Sequence, residues 1–429
     1  MASRPLHLLR RAPLAPPAGW CTVQPRKTTR VKGLSSRSGS PLWGAAEEAV
    51  ELAVTARREV LAALGARGGV ADELLVFNAP SLGAGARTPG LSFPLEDEAH
   101  LAVWRQYAAA TGHGVLVTLS GSFPQLGFPV REGISQWPEY RAATRRGEFS
   151  GGQVALELIA PHEVTLQLHP CLGGTVPVLS AARREDFVAL VRALAARNEP
   201  VAVPDSMGAC LVAGITNWDR VRRYRETWLA SHPEAGEGGW RQEFAVLAAR
   251  KELYQDRLIV LAAGPYSGLE ASAVGCSPLE WDARSLLIRR AHECTHYLTL
   301  RVFGRLQHNV LEELVADFAG LVEGLGEYRA DLARAFLGIE ALPQLRPGGR
   351  LANYRGFPPL SDEAFAIEAR LVDAAIDVLA AIAAQGGEAL SSPQALGSLI
   401  CSLVPLSLEE LLLPEVQEEL LSAAGGRGR

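Results

Sequence analysis

Among the six cysteines, at positions 21, 171, 210, 276, 294 and 401, no two form a C-x-x-C pair. That excludes a zinc ribbon and offers no disulfide framework, so a reducing compartment is expected. Long apolar runs are missing too. No stretch approaches the roughly 18 uninterrupted apolar residues of a membrane span, and the most apolar one, residues 371–384, is broken by Asp373 and Asp377. An excess of positive charge is absent, with 42 Lys and Arg against 47 Asp and Glu, which disfavours nucleic acid as a partner. Neither a G-x-S-x-G elbow nor a G-x-x-x-x-G-K loop occurs, so a serine hydrolase or a nucleotide-driven enzyme has no support. Acids are also absent from residues 1–46, which carry eight Arg and Lys among many Pro and Ser. This reads as a disordered basic leader; as a transit peptide it would direct the protein to an organelle, and otherwise a soluble, cytoplasmic protein is expected.

The rest has the composition of a globular chain, with 48% hydrophobic and 21% charged residues over 429 positions, enough for two or three domains. Residues 47–276 read as a mixed α/β domain. Strand-like runs fall at 114–119, 154–159, 164–168, 176–179 and 258–261. A helical stretch at 187–194 is closed by Asn198 and Pro200, so strand, helix and strand in that order predict a crossover between about 176 and 203. From Ser277 onward strand signals give way to helical ones, and residues 277–429 form the predicted helical domain. Ser277-Pro278-Leu279-Glu280 is a capping-box pattern that opens a helix, and Gly304 suits its C-terminal end. Asn309, with Glu312 three residues on, opens a second helix through Leu321; two more are expected at 362–384 and 408–421. The expected fold class is α+β.

The first of these helices contains His292-Glu293-Cys294-Thr295-His296. Four helical residues turn the chain by about 400°, so the two imidazoles emerge about 40° and one turn apart and can reach one ion. Glu293 lies close enough to take a proton from a water on that ion without being a ligand. The next helix adds Glu313-Leu314-Val315-Ala316-Asp317, two carboxylates on one face. Gly304 and residues 305–308 would let the chain reverse and bring the helices side by side.

H-E-x-x-H followed one helix later by E-x-x-x-D resembles the gluzincin class of zinc metallopeptidases, over about residues 277–324. The resemblance implies a zincin-like helix pair holding one Zn2+, with His292, His296 and Glu313 as ligands and Glu293 as general base. It makes Asp317 the partner that orients a ligand imidazole. It also implies a peptide or protein substrate; the charge balance and the lack of long apolar runs argue separately against nucleic acid and membrane as partners. Arg289 and Arg290 stand where such enzymes usually carry uncharged residues. No histidine follows His308, so the oxyanion or substrate contacts fall to Tyr266 in the loop 264–268, Tyr328, Tyr354 or His308. The alternative is a non-catalytic protein in which the same zinc is structural.

Other residues have plainer readings. Glu312 fits a helix-capping role, His308 an exposed turn and Cys294 core packing. Trp218, Val221, Tyr224 and Trp228 recur at helical spacing, as the buried stripe of a helix whose arginines 220, 222, 223 and 225 face water. The strand at 258–261 is a candidate edge for pairing with an extended peptide. Nothing in the sequence specifies an oligomeric state.

Overall fold

The computed structural model describes residues 41–82, 90–110, 112 and 114–425. Residues 1–40, most of the expected leader and Cys21 lie outside them, whereas 41–46 begin the first helix. The α-helices before the sheet are α1 (Pro41–Ala63), α2 (Gly68–Phe77), α3 (Leu101–Ala109), α4 (Val115–Ser120) and α5 (Pro138–Arg146). Next come β1 (Thr165–Cys171), β2 (Gly174–Ala181), α6 (Arg184–Leu194), β3 (Ala209–Thr216), α7 (Trp218–Ser231), α8 (Gly236–Ala249) and β4 (Gln255–Ala262). The rest is helical: α9 (Ala271–Val274), α10 (Pro278–Phe303), α11 (Val310–Leu325), α12 (Ala330–Leu337), α13 (Asp362–Gly386), α14 (Pro393–Leu403), α15 (Leu408–Leu411) and α16 (Pro414–Ala424). The protein is therefore α+β, with a small mixed sheet and a helical C-terminal region.

The sheet order is β1-β2-β4-β3. β1 and β2 form an antiparallel hairpin, β2 and β4 run parallel, and β3 runs antiparallel to β4. The strand at 258–261 is therefore interior, and the edge beside it is β3. Leu258 to Ala262 are all buried, as expected of a strand covered on both faces. Leu258 and Val260 join Leu179, Val212 and the α6 residues Phe187, Leu190 and Val191 in one core. Ile259 and Leu261, pointing the other way, meet Cys294 and Tyr297 of α10. The metal-motif helix thus lies directly under the sheet.

Several expectations need correction. Residues 114–119 are not a strand: Val115, Leu116 and Leu119 are buried on one side of helix α4 while Val117 is 41% exposed. A short apolar run does not by itself separate strand from buried helix. Residues 154–159 form no strand either; the amides of Ile159 and Ala160 donate to the Asp186 carboxylate instead of to a ladder. The segment after α6 leads to β3, which does not pair with β2, so the expected crossover closes only at β4. Arg220 is not on a wet face: it is 9% exposed and paired with buried Asp256. The helix expected at 408–421 is two helices, the second opening at Pro414.

The largest core runs through α10–α16 and also takes in Leu61, Leu74, Leu82 and Phe93. The helical unit thus draws on residues well before the expected boundary at 276. Among the described residues no helix is long and apolar enough to cross a membrane.

Candidate metal centre

The local signals around the motif act as expected. The Ser277 side chain accepts the Glu280 amide, and α10 runs 26 residues to Gly304, whose φ of 71° is the left-handed conformation that ends a helix. The Asn309 side chain then caps α11 at the Glu312 amide, 2.9 Å away. α11 returns along α10 because small residues line the seam. A Cβ on Gly320 would lie 2.9 Å from the Ile288 carbonyl oxygen, and one on Gly324 2.6 Å from Ile288 Cγ1. That close approach sets His292 and His296 opposite Glu313.

His292, Glu293, His296 and Glu313 are all buried. One ligand atom from each of His292, His296 and Glu313 lies within 4.8 Å of the others. The two Nε2 atoms are 3.1 Å apart; His292 Nε2 is 3.4 Å from Glu313 Oε2, and His296 Nε2 is 3.5 Å from Glu313 Oε1. Ligand atoms at about 2.0–2.2 Å from a tetrahedral zinc stand roughly 3.3–3.5 Å apart. The donor set and its spacing therefore fit such an ion.

Each imidazole faces a carboxylate behind it. His292 Nδ1 is 2.9 Å from Asp317 Oδ1 and donates to it, which leaves Nε2 with its lone pair toward the group. The Tyr266 hydroxyl donates to the same Asp317 oxygen at 2.6 Å. His296 Nδ1 stands 3.6 Å from Glu312 Oε1. The other Glu312 oxygen accepts the amides of Gln307 and His308, both at 2.8 Å, so this carboxylate closes the turn before α11 as well as facing the second imidazole.

The electrostatics follow from this crowding. Burial opposes ionisation of Glu313 and Asp317, but the imidazoles and Arg350 outweigh it and hold both carboxyls below the usual range. Burial likewise opposes charge on His296, yet Glu312, Glu313 and Glu293 push its pKa up to about 10. A group so rich in negative charge suits a cation. Glu293 differs: burial raises its carboxyl above the ordinary value against the pull of both histidines. The Leu211 amide of β3 lies near enough to pull it slightly the other way.

The four residues named for oxyanion or substrate contacts separate. The Tyr266 hydroxyl is on the Nδ1 side of His292, engaged with Asp317 and Arg350. Tyr328 packs on Phe318 with its ring centroid 5.0 Å away, and its hydroxyl has no hydrogen-bond partner among the described residues. The Tyr354 hydroxyl donates to Glu313 Oε2 at 2.7 Å. His308 is exposed in the turn, with φ 55°.

Sequence reasoning missed Arg350. Its guanidinium binds both oxygens of Asp317, at 2.9 and 3.2 Å, and also donates to the Tyr266 hydroxyl at 2.9 Å. It sits in a short 3-10 turn after a Gly-Gly pair, where no periodicity marks it. Arg289 was noted only as a departure from the gluzincin pattern. It is 5% exposed and donates to the carbonyls of Ala262, Gly264 and Pro265, tying the end of β4 to α10.

Fold and site together define an α+β protein with a buried His-His-Glu group under a four-stranded sheet. A model of a family of unknown function, DUF7005, matches residues 59–415, and the chain belongs to that family. Comparison with curated proteins gave no match, and comparison with solved structures gave none.

Proposed function

We propose that the protein is a zinc-dependent hydrolase that cleaves peptides. The observation that carries this reading is the convergence of His292, His296 and Glu313 at tetrahedral ligand spacing, with Glu293 one residue from the first ligand. A zinc ion bound there would supply Lewis acidity and lower the pKa of water at an open position to about 7. Glu293 is the proton acceptor: its carboxyl is already shifted upward, toward the range in which a general base works. Glu293 lies beside β3, near the Leu211 amide. β3 is an edge strand, so an extended peptide can add to it backbone to backbone and run past Glu293.

Purified protein is expected to carry zinc at one ion per chain and to cleave members of a broad peptide library. Glu293→Gln should retain the zinc and lose turnover. A fully active Glu293→Gln protein would overturn the assignment of the base. Stoichiometric zinc with no cleavage of any peptide would favour the structural-zinc alternative.

A further inference from the structure

We infer that the turn Arg350–Tyr354 is a clamp that positions the metal-site carboxylates. The inference rests on the zinc reading above. Arg350 and Tyr354 are four residues apart and hold two carboxylates that are also four residues apart on α11, Arg350 standing in addition 3.8 Å from Glu313 Oε2. Arg350 holds Asp317 through both guanidinium arms, at 2.9 and 3.2 Å. Tyr354 donates to Glu313 Oε2 at 2.7 Å. Both clamp residues are 7% exposed, so water competes little for these contacts.

The turn is itself anchored. Gly349, just before it, packs on Gly338 at the end of α12, so tightly that a Cβ on either would lie 2.6 Å from the other's Cα. The Arg346 amide donates to the Gly338 carbonyl at 2.8 Å. The clamp is therefore braced against a helix that carries none of the ligand residues. Its two contacts act at different points. Tyr354 acts on the ligand carboxylate itself, restricting the orientations of Glu313. Arg350 acts mainly one step behind, holding the Asp317 carboxylate aimed at His292 Nδ1, where it fixes the tautomer that leaves Nε2 free. Arg350 and Tyr354 are positioning residues.

The test is zinc affinity of the full chain, measured by competition with a chromogenic chelator, alongside thermal unfolding of each metal-free protein. Tyr354→Phe removes one hydroxyl from a ring that keeps its packing. It is expected to weaken zinc binding about 10–100-fold, with only a small fall in the unfolding temperature of the metal-free protein from the one lost hydrogen bond. Arg350→Met should weaken zinc by a similar factor. Arg350→Lys should not restore it, because an ammonium cannot reproduce the two-pronged contact. If Arg350→Met fails to fold, Tyr354→Phe decides. Tyr354→Phe that binds zinc as tightly as the parent overturns the clamp, as does full recovery in Arg350→Lys. A parent protein that binds no zinc overturns the zinc reading and the clamp together, which distinguishes that failure from failure of the clamp alone.

Discussion

Glu368 offers a quantitative check that does not depend on the metal. It sits on α13 in the helical core, 0% exposed, beside Asn78 and near Glu409, which Arg57 pairs with from its other side. One oxygen accepts from Asn78 at 2.9 Å, and the other has no hydrogen-bond partner among the described residues. Burial, with a smaller contribution from Glu409, raises its pKa from 4.5 to about 8. The native state then holds a proton that the unfolded chain has released between those two values. Stability is greatest below the unfolded pKa and falls as pH rises toward 8, by about 1.4 kcal/mol per unit and about 3–5 kcal/mol in all. That is a large part of the roughly 5–15 kcal/mol of a typical fold. Glu368→Gln removes the titration. Its amide nitrogen would occupy the unpartnered position, which costs about 1–3 kcal/mol at every pH, so the difference between pH values is the informative quantity. Urea unfolding of the metal-free parent and variant at pH 5, 6, 7 and 8 measures it; chelator is needed because zinc binding is itself pH-dependent. The parent curve should fall with pH and the variant curve should be flatter by several kcal/mol. Parallel curves would refute the assignment of a raised pKa to Glu368.

Other outcomes concern the helix pair. Gly320→Ala places a methyl 2.9 Å from a backbone carbonyl oxygen of α10, so the helices must separate. A loss of about 1–3 kcal/mol by urea unfolding is expected, together with weaker zinc binding because Glu313 moves with α11; an unchanged affinity would show that the seam does not set the site. Glu293→Gln should leave the metal-free protein at least as stable as the parent at pH 7, since burial raises that carboxyl and its ionisation works against folding above the ordinary glutamate pKa. Thermal unfolding in chelator checks this, and a clear drop would contradict it.

The two-helix core of the site was legible because its signals are local. Ser277 and Gly304 fix where α10 begins and ends and Asn309 where α11 begins, although α11 runs past the expected Leu321 to Leu325, capped by Gly326; helical periodicity then dictates which side chains share a face. Gly320 and Gly324 were not recognised beforehand as the seam that brings those faces together. β3 escaped notice because Ala209-Cys210-Leu211-Val212-Ala213-Gly214 is rich in small residues and broken by a register shift beside Gly214, whose φ is 79°. A strand of weak intrinsic preference is held by its neighbour, here the buried apolar run Leu258 to Ala262 of β4. Arg350 and Tyr354 reach the site from a turn whose position follows from tertiary contacts with α12, and nothing local announces it. Glu312 was read as a cap. Its carboxylate does bind turn amides, and only the folded structure brings its other oxygen to face His296.

The central claim is that three side chains from two helices meet around one cation. Elemental analysis of His292→Ala beside the parent, both purified without added metal, tests it most directly. The account predicts about one zinc per parent chain and background zinc in the variant, with the variant still folded by circular dichroism. Equal metal content in the two proteins would contradict it.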